Sequence, residues 1–129
     1  MIALILSNGE LREREIKNTL EELQKLVGGY IEVPYLGNTF RENGIDVIIN
    51  EDGKFVEGLR PEIVVIDKKT KQTLDVVYGN CIFATHNEEG DTIQLSREQA
   101  EIVMEELGTD VMLTNPETRE AVKVKALFI

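Results

Sequence analysis

The groups in this chain that could carry chemistry are few. It has one cysteine, Cys81, and one histidine, His86. A thiol and an imidazole brought together by the fold would make a nucleophilic pair. Here the Cys81 to Thr85 stretch reads as a strand, and a lone thiol in such a run is most often buried and inert. His86 also opens the oxygen-rich stretch Glu88, Glu89, Asp91. That stretch lacks the Asp/Asn spacing and the closing Glu of a calcium hand, so it reads as a solvated acidic loop. A zinc site of four Cys and His ligands is impossible with one of each in the chain. Gly28-Gly29 has no G-x-x-x-x-G-K-[ST] frame and follows a helix where a phosphate loop would precede one. The residues therefore assign no catalytic group, no metal and no cofactor, and they leave an enzyme unsupported.

Two other sets of residues are candidates for binding. Polar turn residues at Gly28, Gly29 and Tyr30, at Asn50 and Lys54, and at Asn80 could gather at one sheet edge around a small ligand or nucleotide. The same residue types also make turns for backbone reasons alone. The second set is acidic. The chain holds 14 basic and 24 acidic residues, a net charge of −10. Residues 86–110 contain 8 acids against Arg97 alone, a balance of −7. Glu98, Glu101, Glu105 and Glu106 fall there on one predicted helix. Such a surface repels phosphate backbones and argues against direct nucleic-acid binding. It attracts basic protein surfaces, and regularly spaced carboxylates could also imitate a row of phosphates.

The elements that must hold these groups can be read in outline. At 129 residues the length suits one domain with a real core. No apolar run approaches the ~20 residues of a membrane span. The start, Met1 to Leu6, has no basic region and meets Ser7-Asn8-Gly9 at once, so no signal peptide is expected. With a single cysteine, a reducing cytoplasm is the expected location.

Ile2 to Leu6 reads as a strand, joined through Asn8-Gly9 to a second strand over Leu11 to Ile16. Asn18 is expected to cap a helix, with Glu21 as capping-box acid and Leu20, Leu23, Leu26 and Val27 on its buried face. Gly28-Gly29 ends that helix. Strands follow at Tyr30 to Val33, Ile45 to Asn50, Ile63 to Asp67, Leu74 to Tyr78 and Cys81 to Thr85, with a loop over Gly37 to Gly44. Asp52-Gly53 reads as a hairpin turn continued by Phe55 and Val56. Ser96 and Gln99 form a capping box for a helix carrying Ala100, Val103, Met104 and Leu107 inward. Val111 to Leu113 and Ala121 to Phe128 read as a last hairpin. The expected fold is a single α+β domain, a mainly antiparallel twisted sheet with two helices. Residues 1–110 form its body, and 111–129 a C-terminal hairpin extension packing on it.

The string Leu20-Glu21-Glu22-Leu23-Gln24-Lys25-Leu26-Val27-Gly28-Gly29-Tyr30-Ile31-Glu32-Val33 resembles the signature of the family catalogued as domain of unknown function 3846. Later pieces fit in the same order. Asn50-Glu51-Asp52-Gly53-Lys54 is similar to the family's Asn-Glu-x-Gly-Lys turn, followed by Gly58-Leu59. Asp75 to Asn80 with Ile82-Phe83, and Gly90 with Leu95-Ser96 and Gln99, are similar to its later strands and closing helix. The resemblance runs from about Met1 to Leu107. Leu59-Arg60-Pro61-Glu62 departs from the family's Leu-Pro-x-Asn, and the tail from Val111 looks like an addition. The resemblance implies a small accessory protein of phages, plasmids and their bacterial hosts, and it brings no activity and no catalytic residues.

These observations lead to an expected function. The protein is read as a non-enzymatic binding protein that engages a host or phage protein through its acidic face. The alternatives are a small-ligand or nucleotide-sequestering protein, and an oligomerising module that pairs the exposed edge of Ala121 to Phe128 across a two-fold axis.

Overall fold

A computed structural model describes residues 1–129. The chain opens with strands β1 (Ile2–Ser7) and β2 (Glu10–Glu15), paired antiparallel with Ser7 opposite Glu10. Asn8 and Gly9 both have positive φ (52° and 78°), as a two-residue turn matched to strand twist requires. Helix α1 (Leu20–Val27) follows. Its cap is Thr19, one residue later than the spacing predicts, because the Thr19 hydroxyl accepts from the Glu22 N–H at 3.2 Å. Asn18 is used elsewhere: its amide donates to the Thr92 carbonyl at 2.7 Å. Leu23 and Val27 are buried, but Leu20 at the helix start is exposed.

The chain continues through β3 (Ile31–Glu32), a short helix α2 (Asn38–Glu42) and β4 (Asp46–Asn50). The α2 segment was expected to be a loop. It turns as a helix around one buried side chain, Phe40, so it gives no apolar periodicity to read. The expected Asp52-Gly53 hairpin does not form either. Gly53 begins a 3-10 turn (Gly53–Phe55), and Phe55 and Val56 lie exposed outside any strand. A Cβ on Gly53 would stand 2.7 Å from the Tyr78 carbonyl oxygen, so the glycine serves a close approach of two backbones.

Strands β5 (Pro61–Ile66), β6 (Thr73–Tyr78), β7 (Cys81–His86) and β8 (Thr92–Ile93) come next. Helix α3 (Arg97–Glu106) carries the expected capping box, with both Ser96–Gln99 hydrogen bonds made. Strands β9 (Thr109–Thr114) and β10 (Ala121–Phe128) close the chain as an antiparallel hairpin.

The strands divide into two sheets where one was expected. The first has the order β2-β1-β7-β4-β3 with β8 added on β7, and the second β6-β5-β10-β9. Every pairing is antiparallel except β5 with β10. The Gly79-Asn80 turn therefore carries the chain from one sheet to the other, and β6 does not pair with β7. β10 lies inside its sheet, paired with β9 over Ala121–Ala126 and with β5 over Lys125–Phe128. The long passage from β5 to β10 is what permits their parallel alignment.

Alternation explains the layering. Leu4, Leu6, Val47, Ile49, Cys81 and Phe83 of the first sheet share the main core with Ile63, Val65, Val77 and Leu127 of the second. Phe40 of α2 and Val103 and Leu107 of α3 complete that core, and Phe40 meets Phe83 edge to face. Ala3, Ile5, Ile48, Ile82 and Ala84 point the other way, onto Leu23 and Val27 of α1. No helix is long and apolar enough to cross a membrane.

Candidate functional site

Four of the six polar turn residues do come together, at the C-terminal end of α1. Gly28 takes the left-handed conformation (φ 84°) that closes the helix, and its N–H returns to the Gln24 carbonyl. The Asn80 amide donates to the Leu26 carbonyl at 2.8 Å, and the Asn50 amide to the Val27 carbonyl at 3.2 Å. These are carbonyls that a helix leaves without an internal partner. A Cβ on Gly29 would lie 2.8 Å from the Asn50 amide nitrogen, so the second glycine makes room for that amide. The remaining two residues stand apart. Tyr30 is 70% exposed, and Lys54 is paired with Asp75 on β6.

Beside this helix end, Glu62 is buried on β5 although it is charged. Its carboxylate accepts the backbone N–H groups of Asn8 (2.9 Å) and Gly9 (2.8 Å) and an Arg60 guanidinium N–H at 2.9 Å. Arg60 donates in turn to the Pro61 and Lys123 carbonyls. The cluster ties the β1–β2 turn to the second sheet. The sequence gives no sign of it beyond the departure of Leu59-Arg60-Pro61-Glu62 from the family's Leu-Pro-x-Asn.

Cys81 and His86 sit at opposite ends of β7 and form no dyad. Burial pushes the Cys81 thiol well up from its ordinary value, and the nearby Glu62 charge adds to this. His86 is paired instead with Asp46 on β4, Nδ1 to Oδ2 at 2.8 Å. The acidic stretch after it is organised by Asn87, whose side-chain oxygen accepts from the Glu89 and Asp91 N–H groups. No three His, Cys, Asp or Glu side chains converge as a metal-holding group.

The acidic set lies on α3. At ~100° per residue, Glu98, Glu101 and Glu105 share the face opposite the buried Val103 and Leu107, while Glu106 lies on the flank and is half-buried. Arg97 pairs with Glu101 at 3.4 Å, and both side chains are exposed. Met104, expected inside, is 48% exposed, and Ile102 packs against the core in its place.

Next to this face runs a groove of about 440 Å³ between the β1–β2 hairpin and α3. Ile2, Leu4, Leu95 and Met104 give it apolar surface, Glu13 stands on one wall, and Glu101 stands on the other beside its ion-pair partner Arg97. The register explains the charge. Glu13 lies opposite Leu4 and Glu15 opposite Ile2, so both carboxylates fall on the groove side, while Arg12 and Arg14 lie opposite Ile5 and Ala3, on the side of α1. The Arg12-Glu13-Arg14-Glu15 run has no apolar face of its own, but the strand sorts its charges by sign.

These features define an α+β module of two packed sheets with an apolar groove between carboxylate-bearing walls. A family profile described as Domain of unknown function (DUF3846) matches residues 1–108, and the chain belongs to that family. The matched region ends just before β9, so the β9–β10 hairpin lies outside it. No curated protein and no solved structure matches the chain.

Proposed function

We propose that this protein is a non-enzymatic accessory protein that binds a basic, amphipathic segment of a partner protein in the groove between the β1–β2 hairpin and α3. The observation that supports it is the sorting of charge around that groove. Glu13 and Glu15 fall on the groove side of β2, Glu101 lines the groove from α3 together with its partner Arg97 and the partly exposed Ile2 and Met104, and Glu98 and Glu105 extend the acidic outer face of that helix. A segment with Lys or Arg on its flanks and apolar residues between them matches this surface in both charge and hydropathy. The phage and plasmid setting that the family resemblance implies suits a protein that engages a host or phage protein in a bacterial cytoplasm. A nucleotide-sequestering role has less support, because the Asn50 and Asn80 amides are spent on the end of α1. An oligomerising role through β10 has less still, because β9 and β5 already pair with most of that strand.

The test is fluorescence anisotropy with a labelled amphipathic peptide of alternating Lys and Leu blocks, at low and high salt. Exposed charge pairs contribute about 0.2–1 kcal/mol each. Glu13→Gln with Glu101→Gln should therefore weaken binding by roughly twofold to thirtyfold. Added salt should weaken the wild type more than the double variant. Glu117→Gln with Glu120→Gln, in the β9–β10 turn, should bind as the wild type does. Equal losses from the two double variants, or binding indifferent to salt, would refute the groove.

A further inference from the structure

A second cleft, beside the start of β4 where β3 leaves its edge unpaired, has the make-up of a small-molecule site. It encloses about 320 Å³ between the β3–α2 segment and the ends of β4 and β7. Pro34, Leu36 and Val47 supply apolar wall, and Arg41, Asp46 and His86 supply polar groups that converge on it. A volume of this order, mostly apolar with a few placed polar groups, is what ligand sites typically show.

The polar groups are arranged by the fold. Asp46 stands opposite Ala84 in the β4–β7 register, which puts His86 one diagonal step away. The Asp46 carboxylate accepts from His86 Nδ1 at 2.8 Å. That fixes the ring and leaves Nε2 without a protein partner, able to accept a proton or donate one. The wall opposite is also pinned. Thr85 Oγ1 donates to the Gly44 carbonyl at 2.6 Å, and the Gln99 amide donates to the Asn43 carbonyl at 2.8 Å and to Thr85 Oγ1 at 3.2 Å. Arg41 has no carboxylate partner. Its guanidinium lies 5.2 Å from the centre of the Tyr35 ring, and the Tyr35 hydroxyl donates to Asn38 Oδ1 at 2.6 Å. A ring held at its hydroxyl thus steadies the guanidinium while leaving its N–H fork unpaired.

We propose that this cleft binds a small organic acid, an apolar or aromatic body bearing a carboxylate or phosphate. The oxyanion sits on the Arg41 fork. The body lies against Pro34, Leu36 and Val47, and His86 Nε2 hydrogen-bonds the head group. The charged and titratable groups around the imidazole are Asp46 on β4 and Arg41 and Tyr35 on the β3–α2 segment, while the residue paired with it on β8 is the uncharged Thr92. Asp46 is taken up by His86, so Arg41 is the cation in the cleft without a carboxylate partner and the main source of oxyanion affinity. This site shares no residue with the β1–β2/α3 groove, and it stands or falls apart from the partner-binding reading.

The presence of a single histidine supplies the readout. The ring Cε1–H resonance of His86 is the only one of its kind in the proton spectrum of the whole chain. Phenyl phosphate and benzoate, each titrated at constant pH, distinguish the two head groups, and benzyl alcohol serves as the uncharged comparison. The expected result is a saturable shift of that resonance with at least one acid and none with benzyl alcohol. Hydrogen bonds to charged groups contribute enough that Arg41→Gln should weaken binding by roughly tenfold or more. Arg41→Lys should recover part of it, because it restores charge without the fork. Arg119→Gln, in the β9–β10 turn and outside the lining of this cleft, should leave affinity unchanged. Arg41 is solvent-exposed, so thermal unfolding should show these variants folded. The absence of a saturable shift with either acid, or affinity undiminished in Arg41→Gln, would overturn the proposal.

Discussion

Glu62 carries the sharpest stability prediction. Its side chain is 2% exposed, and its two oxygens accept three hydrogen bonds, from the Asn8 and Gly9 backbone and from Arg60. Glu62→Ala deletes the acceptor and leaves the three donors in place. The Gly9 N–H is buried, and leaving such a group unpaired costs about 1–3 kcal/mol. The Asn8 N–H is only partly buried and can recruit water, so its loss falls at the lower end of that range. Arg60 keeps the Pro61 and Lys123 carbonyls and its side chain is 26% exposed, which limits its share. Together these give about 2–5 kcal/mol, overlapping the range seen when one partner of a buried ion pair is removed. Glu62→Gln retains one oxygen but turns an NH₂ toward donors, so about half that loss is expected. Urea unfolding of the two variants against the wild type measures both values, and an unchanged slope would confirm a common unfolded state. In thermal unfolding each kcal/mol should appear as roughly 3–5 °C for a chain of this size. A loss below about 1 kcal/mol for Glu62→Ala would refute the reasoning, because it would mean that the turn is not held by the carboxylate.

Other expectations follow from the charge and burial already described. Because burial raises the Cys81 thiol and no solvent reaches it, iodoacetamide at neutral pH should leave the folded protein unlabelled and modify Cys81 once urea unfolds it; rapid labelling of the native protein would contradict this. The hydrogen bond from Lys125, at 2.7 Å, holds the Asp110 carboxyl below its ordinary value of 3.8. The stabilisation this gives is present above that value and is lost as pH falls through the lowered folded value. Asp110→Asn should therefore lower the urea midpoint at neutral pH, with the difference closing in strong acid; a constant difference across pH would show that the carboxylate charge is not responsible.

Much of the element order was legible from local signals that the structure also uses. Asn8-Gly9, Ser96 with Gln99, and Gly28 each act within a few residues of chain, and each makes the contact its type implies. The errors have local causes too. Thr19 displaces Asn18 as a cap because Asn18 is engaged by β8, a partner 74 residues away. Met104 fits the apolar spacing but lies exposed along the groove, while Ile102, outside that spacing, packs against the core. The α2 turn rests on Phe40 alone, and one apolar residue between glycines carries no period. In each case a tertiary contact outweighs a preference worth ~1 kcal/mol or less.

The candidate sites were harder to read because they are made by register across sequence distance. Glu13 and Arg12 are neighbours in the chain, yet only pairing with β1 sends one toward α3 and the other toward α1. Asp46 and His86 are 40 residues apart and meet because β4 and β7 pair. The Gly28, Gly29, Asn50 and Asn80 set shows the opposite case. Its convergence was expected from turn chemistry, and it occurs, but the geometry directs both amides to the last carbonyls of α1. Convergence alone therefore does not separate a ligand site from a structural cap. What separates them is whether the polar atoms already have partners. By that criterion Asn50 and Asn80 are satisfied, while the Arg41 fork and His86 Nε2 still have hydrogen bonds to give.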